Sequence, residues 1–335
     1  MAKIAVLGAG GWGTALAVLA DRQSHQVRLW TPFAEECEAI RRDGEHKKLL
    51  PDVPVPPTIE LTTDIHCAKD ADLVLLVVPS FAIAETVGKL KGVLPDGALI
   101  ANAGKGIERE SGRRFTEIIR EALPTARVVA LSGPSHAEEV GRGVPTSVVS
   151  AAADIKDAQA VQDLLMCPVF RIYTTTDVIG VELGGALKNV IALAAGICDG
   201  LRLGDNTKAA LMTRGLCEMA RLGVAMGARR ATFGGLSGMG DLMVTCGSMH
   251  SRNRRAGMLI GEGLTVEQAI ARVGTVEGYL AAKTAYELSV QMDVDMPITQ
   301  NCYRICYEGM PAREALTALL SRAKTQEEDV LWLSE

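Results

Sequence analysis

The apolar positions change character once along the chain. From Lys3 to Thr174 they come as short runs of Val, Ile and Leu, each closed by glycine, proline or a small polar residue and followed by helical composition. Such runs occupy Lys3 to Leu7, Val27 to Trp30, Asp72 to Val78, Leu99 to Asn102, Val128 to Leu131, Thr146 to Ser150 and Phe170 to Thr174. The stretch Leu73 to Val78 has no polar position at all, as expected of a parallel strand covered on both faces. Leu50 to Pro57, interrupted by four prolines, reads as a stiff connection that cannot donate ladder hydrogen bonds. Beyond residue 177 the β-branched runs cease, and helical patterns separated by glycines take over. The pattern predicts a doubly wound, parallel α/β domain over 1–177 and an all-α domain over 178–335.

The longest apolar segment, Val178 to Cys198, has the length of a membrane span, but Lys188 and Asn189 sit at its centre and Glu182 precedes them. Inserting those groups into lipid is expensive, so the segment is expected to be a buried helix, and no integral membrane segment is expected. A buried lysine must be compensated, and burial pulls its pKa toward the range useful for proton transfer. Lys188 is therefore a candidate general acid/base. An ion pair with Glu182 is the structural alternative, but six residues of helix leave the two side chains roughly 120° apart.

Glycines define a second feature. Lys3 to Leu7 is a strand, Gly8-Ala-Gly10-Gly11-Trp12-Gly13 a turn, and Thr14 to Ala20 an alanine-rich helix. This is G-x-G-x-x-G at a strand-to-helix junction: Gly8 permits the tight turn, Gly10 lets backbone approach a pyrophosphate, and Gly13 lets helix pack on strand. The first domain is thus expected to be of the Rossmann type. These glycines also break the resemblance of the N-terminal region to a signal peptide. At the end of the second strand, Thr31-Pro32-Phe33 offers neither a carboxylate for a ribose 2′-hydroxyl nor an arginine for a 2′-phosphate.

Other strand ends carry small residues with candidate chemistry: Ala103-Gly104-Lys105-Gly106, and Ser132-Gly133-Pro134-Ser135-His136-Ala137 before a helix with Glu138 and Glu139 in its first turn. In the helical half, Gly234 to Asp241 presents one carboxylate in a glycine-rich turn. Ser251-Arg252-Asn253-Arg254-Arg255 combines a serine cap, free backbone N–H groups and guanidinium into a candidate anion site, or a solvated basic face. Thr265-Val-Glu-Gln268 opens a further helix with a capping box.

Composition narrows the partners. The chain has 335 residues, 48% hydrophobic and 4% aromatic, with a net charge of −5, which argues against nucleic acid or an anionic membrane surface and for small molecules. Eight cysteines without a C-x-x-C pair point to a reduced, cytoplasmic protein. Cys302 and Cys306 share a helix face, but no histidine or second pair accompanies them, so no metal site is expected.

These motifs, in this order, resemble the bacterial-type NAD(P)-dependent glycerol-3-phosphate dehydrogenases. The resemblance runs through Gly10-Gly11-Trp12-Gly13, Gly104-Lys105-Gly106, Ser132 to Ala137, Leu183 to Val190, Gly240-Asp241-Leu242, Ser251 to Arg254 and Val276-Glu277-Gly278. It implies reversible hydride transfer between NAD(P)H and dihydroxyacetone phosphate, giving glycerol 3-phosphate, with Lys188 as proton donor and acceptor. It further implies Lys105, Gly133, Ser135, Asp241, Ser251, Arg252 and Asn253 around the substrate. Gly11, Trp12, Phe33, Lys105, Ala137, Arg252, Val276 and Glu277 are implied around the dinucleotide, and a homodimer as the assembly. Where the family usually has a basic residue this chain has Phe33, which leaves NAD and NADP both open; Gly104 replaces a common threonine. Two other classes fit the plan: a β-hydroxyacid dehydrogenase of the hydroxyisobutyrate type, which usually places its asparagine four residues after the lysine, and a dinucleotide-binding sensor without chemistry.

Overall fold

The structure, a computed structural model, describes residues 1–324; residues 325–335 of the expected second domain lie outside that range. The chain divides into two compact units, Met1–Lys105 with Phe115–Val178, and Gly106–Arg114 with Ile179 onward. Residues 106–114, expected from sequence within the first domain, thus belong to the second unit.

The first unit is built on ten strands: β1 (Lys3–Leu7), β2 (Gln26–Trp30), β3 (Glu45–His46), β4 (Leu50–Pro54), β5 (Glu60–Thr62), β6 (Leu73–Leu76), β7 (Leu99–Asn102), β8 (Arg127–Ser132), β9 (Thr146–Ala152) and β10 (Phe170–Thr175). Eight form one sheet in the order β10-β9-β8-β7-β6-β1-β2-β5. All neighbours in it are parallel except β8 and β9. Strand order reverses at β1, which is flanked by β6 and β2, so the crevice where ligands bind such sheets opens beyond their carboxyl ends. The register pairs Leu7 with both Trp30 and Leu76, and Leu76 with Asn102, so four strands end level. The glycine turn, Phe33 and Lys105 follow those ends directly.

One expectation fails here. Leu50 to Pro54 is a strand, paired antiparallel with β3 around an irregularity at Glu45 and His46. In a two-stranded ribbon both strands are edges, which tolerate proline, and Leu50 and Val53 are fully buried as its apolar anchors. The helices α1 (Gly11–Arg22), α2 (Ala34–Asp43), α3 (Ile83–Lys89), α4 (Phe115–Ala122), α5 (Ala137–Arg142) and α6 (Ile155–Leu165) belong to the same unit. Two apolar cores fill it, one including α1 and α6, the other including α3 and α4.

The second unit is helical from α7 (Val178–Gly200) through α8 (Gly204–Ala225), α9 (Arg230–Phe233), α10 (Asp241–Gly247), α11 (Arg252–Gly261), α12 (Val266–Val273), α13 (Glu277–Gln291), α14 (Pro297–Tyr307) and α15 (Ala312–Leu320). A single π turn, Leu236–Gly240, leads into α10. Helix α7 is the apolar segment seen in the sequence, and 94% of its most apolar window is buried. Thr265 and Gln268 form the expected capping box of α12. Cys302 and Cys306 are buried side chains of α14.

Backbone contact sets how α7 and α11 cross. A Cβ on Gly196 would lie 2.0 Å from the Arg254 carbonyl oxygen, and one on Gly257 would lie 2.1 Å from that of Leu193. Any side chain there would force the helices apart. The start of α11 also meets the middle of α7, where Asn253 Nδ2 donates to Asn189 Oδ1 next to Lys188.

Candidate active site

The glycine turn of the first unit meets the geometric demands of a dinucleotide loop. Gly8 has φ +120°, and a Cβ on it would stand 2.6 Å from the Val77 carbonyl oxygen of the neighbouring crossover. On Gly13 a Cβ would reach within 1.8 Å of the Gly8 oxygen, so α1 can seat on β1 only without a side chain. At Gly10 a Cβ would meet no atom within 4 Å. Its face is open, the space a pyrophosphate needs, and Gly10 is also the N-cap of α1 with no side-chain bond to its N–H groups. The residues present therefore fit NAD(P)H. Half-buried Trp12 follows Gly11 at the start of α1 and donates from Nε1 to the Ala103 carbonyl at 3.1 Å, tying the turn to the end of β7.

That same strand end carries Lys105. Its Nζ donates to the Gly133 carbonyl at 2.7 Å and to Ser135 Oγ at 3.2 Å, and Ser135 Oγ donates to the Gly133 carbonyl at 2.9 Å. Lys105 and the Gly133–Ser135 turn, separated by 28 residues, thus form one polar cluster, with Ala137 opening α5 just beyond. Phe33 is 66% exposed as the N-cap of α2. A carboxylate stands one turn further on: Glu36 accepts from Thr31 Oγ1 and bonds His46 Nε2 at 3.2 Å. Burial raises the Glu36 carboxyl, and the bonds from His46 and Thr31 more than offset it, holding it below its ordinary value.

In the second unit, Lys188 is 5% exposed and Asp241 1%. Lys188 Nζ donates to Asp241 Oδ1 and, at 2.8 Å, to Thr245 Oγ1; Thr245 in turn donates to the Asp241 carbonyl at 2.6 Å. The ammonium is therefore compensated by the carboxylate of the glycine-rich turn. Glu182 instead bonds Arg114 Nη1 at 3.0 Å, as the angular argument requires. Thr245 was not singled out from sequence, although its place four residues after Asp241 puts both on one helix face.

The arginine cluster divides. Ser251 is the N-cap of α11, its Oγ accepting from Arg254 N at 3.2 Å. Arg254 is spoken for, donating to Asp199 Oδ2 at 2.7 Å and to the Gly247 carbonyl at 2.7 Å. Arg252 is exposed and Arg255 is half-buried with its Nε unbonded, so the anion reading narrows to these two. Buried Asn253 points inward, and buried Val276 caps α13, whose first residue is Glu277.

A dinucleotide turn on a parallel sheet, with a helical unit presenting a buried lysine beside a carboxylate, is the plan of a two-domain nicotinamide-dependent dehydrogenase. The model of the NAD-dependent glycerol-3-phosphate dehydrogenase N-terminus matches residues 3–158, and that of the C-terminus of the same enzymes matches residues 177–317. A protein of Moorella thermoacetica named glycerol-3-phosphate dehydrogenase (NAD(P)+) is 53% identical over 328 residues, covering 97% of each chain. One of the same name from Desulfitobacterium hafniense is 50% identical over 98% of this chain and 93% of its own. The crystal structure of glycerol-3-phosphate dehydrogenase from Coxiella burnetii superposes with a TM-score of 0.92 at 37% identity, over 96% of this chain and 99% of that one. The chain belongs to the NAD(P)-dependent glycerol-3-phosphate dehydrogenase family.

Proposed function

We propose that this protein interconverts dihydroxyacetone phosphate and sn-glycerol 3-phosphate with NAD(P)H, supplying the glycerol backbone for phospholipid synthesis, as a homodimer in the cytoplasm. The first unit holds the dinucleotide on Gly8, Gly10, Gly11, Trp12 and Gly13, with Phe33, Lys105 and Ala137 nearby. When bound, the nicotinamide supplies or accepts the hydride at C2 of the substrate. Lys188 gives its proton to the C2 oxygen as hydride arrives and takes it back in the reverse direction. The observation that carries this assignment is the buried Lys188–Asp241–Thr245 cluster: two side chains of α10 hold the ammonium of α7 in place.

Asp241 offsets the charge of the lysine in an apolar setting, and Thr245 fixes its direction. Arg252, with the N–H groups at the capped start of α11, binds the substrate phosphate. Lys105, Gly133, Ser135, Ser251 and Asn253 complete the substrate contacts, and Val276 and Glu277 serve the dinucleotide. A turnover assay with dihydroxyacetone phosphate and NADH or NADPH tests the reading. Oxidation of either dinucleotide that depends on the ketone phosphate supports it; no turnover with either, or equal turnover of 3-hydroxyisobutyrate, sinks it.

A further inference from the structure

The carboxylate bonded to Lys188 is delivered by a turn with no room to spare. A Cβ on Gly184 of α7 would stand 2.5 Å from the Ser237 carbonyl oxygen and 3.0 Å from its carbon, so helix and turn touch backbone to backbone. Ser237 is 1% exposed and belongs to the π turn Leu236–Gly240. Behind it, a Cβ on Gly238 would stand 2.1 Å from the carbonyl oxygen of Phe233, the fully buried last residue of α9. The turn is thus gripped at successive residues, by α7 at Ser237 and by α9 at Gly238.

Spacing makes this grip consequential. Gly184 lies four residues before Lys188, and Ser237 lies four residues before Asp241. Residues four apart on a helix are neighbours on one face, about 6 Å along the axis. The two segments therefore meet twice, with backbone contact at one end and the Lys188–Asp241 ion pair at the other. Within the turn the Gly240 N–H donates to the Gly235 carbonyl at 3.1 Å, a bond across five residues where an α-helix spans four. This wider winding leads straight into Asp241, so a displacement at Ser237 is carried to the carboxylate.

We infer that Gly184 is a positioning residue for proton transfer: its missing side chain seats the π turn one helical turn before Lys188 and so aims the Asp241 carboxylate at the lysine amine. The inference rests on the role of Lys188 proposed above.

The test is a cycle of Gly184→Ala, Asp241→Asn and the double variant in the full chain, with Gly215→Ala as a control. A Cβ on Gly215 of α8 would come within 2.6 Å of Ile191, a similarly close clash with a different residue of α7. Four quantities are followed: kcat with dihydroxyacetone phosphate against pH, NAD(P)H affinity, melting temperature, and the titration of Lys188 by NMR of protein carrying ¹³Cε-lysine, assigned with Lys188→Met. Gly184→Ala should lower kcat by about 10–100-fold, the cost of a misplacement near 1 Å, with NAD(P)H affinity within about 2-fold of the parent. A carboxylate moved away stabilises the ammonium less, so the Lys188 titration should move to lower pH by about half a pH unit or more. The loss of ketone reduction at high pH, where the amine has no proton to give, should move with it. In the Asp241→Asn background the same substitution should move the titration no further, because the group through which it acts is gone. Gly215→Ala should lower the melting temperature and leave the Lys188 titration where it is. A Gly184→Ala protein that loses melting temperature alone, a shift that persists without the Asp241 carboxylate, or an equal shift in Gly215→Ala overturns the inference. If Gly184→Ala does not fold, Ser237→Gly, which loosens the turn without adding an atom, should move the titration in the same direction; an unmoved titration there refutes it. A parent protein that binds NAD(P)H but does not turn over the ketone phosphate would remove the proposed function alone. The NMR titration, which needs no turnover, would still decide whether Gly184 aims Asp241.

Discussion

Removing the lysine amine should separate catalysis from stability in a way the structure makes quantitative. On sequence alone, Lys188→Ala is expected to fold normally and lose kcat. Asp241, however, is only 1% exposed and bonded to that amine, so the substitution takes a positive partner away from a buried carboxylate. Breaking a buried ion pair from one side costs about 3–5 kcal/mol, which in a domain of this size lowers Tm by roughly 6–20 °C. Lys188→Met with Asp241→Asn removes both charges and keeps the apolar bulk, and should recover most of that loss. Activity should behave differently: each variant lacking the amine should lose about 10²–10⁴-fold in kcat, with the double variant no better than Lys188→Met. Stopped-flow dinucleotide oxidation and calorimetry on the same samples give both numbers. A double variant that regains kcat along with Tm, or a Lys188→Met protein with near-parental kcat, would show that Lys188 is a packing element and that proton transfer lies elsewhere.

Arg252→Ala should lower kcat/KM for dihydroxyacetone phosphate by about 10–150-fold at saturating dinucleotide while hardly changing unphosphorylated dihydroxyacetone; equal losses on both would move the phosphate to Lys105. Because Phe33 presents neither acid nor base, kcat/KM for NADH and NADPH should differ by less than about 10³-fold, and a larger ratio in favour of NADH would point to Glu36 as the discriminating carboxylate. Glu218 is 1% exposed and accepts from Ile298 N, Thr299 N and Thr299 Oγ1, and burial pushes its carboxyl up to about 7. The folded state then keeps a proton that the unfolded chain gives up near its ordinary value, so stability falls as pH rises from about 4.5 to 7, by about 3 kcal/mol in all. Urea unfolding across that window should show the fall in the parent and not in Glu218→Gln; parallel curves would refute it. Arg114→Ala, which breaks the buried ion pair with Glu182, should cost about 3–5 kcal/mol, and a loss below about 1 kcal/mol would mean that the pair is not needed.

Much of this architecture is local and therefore legible in the sequence. Short β-branched runs, helical periodicity, the glycine turn and the capping box of α12 each depend on residues within a few positions of one another. A lysine in a long apolar segment announces its own burial, and six residues of helix suffice to exclude Glu182 as its partner. What tertiary structure alone decided is who meets whom. Lys188 and Asp241 are 53 residues apart, Arg114 and Glu182 68, and Arg254 and Asp199 55, and nothing in the sequence near either member names the other. The antiparallel entry of β9 is equally non-local, since a strand reads the same in either direction. So is the ribbon strand at Leu50 to Pro54, where the need to bury Leu50 and Val53 on an edge overrides the reluctance of proline. Side-chain pairing depends on how helices cross, and here the crossing of α7 with α11 is set by glycines whose only property is the absence of a side chain, a property that acquires meaning when a second helix arrives.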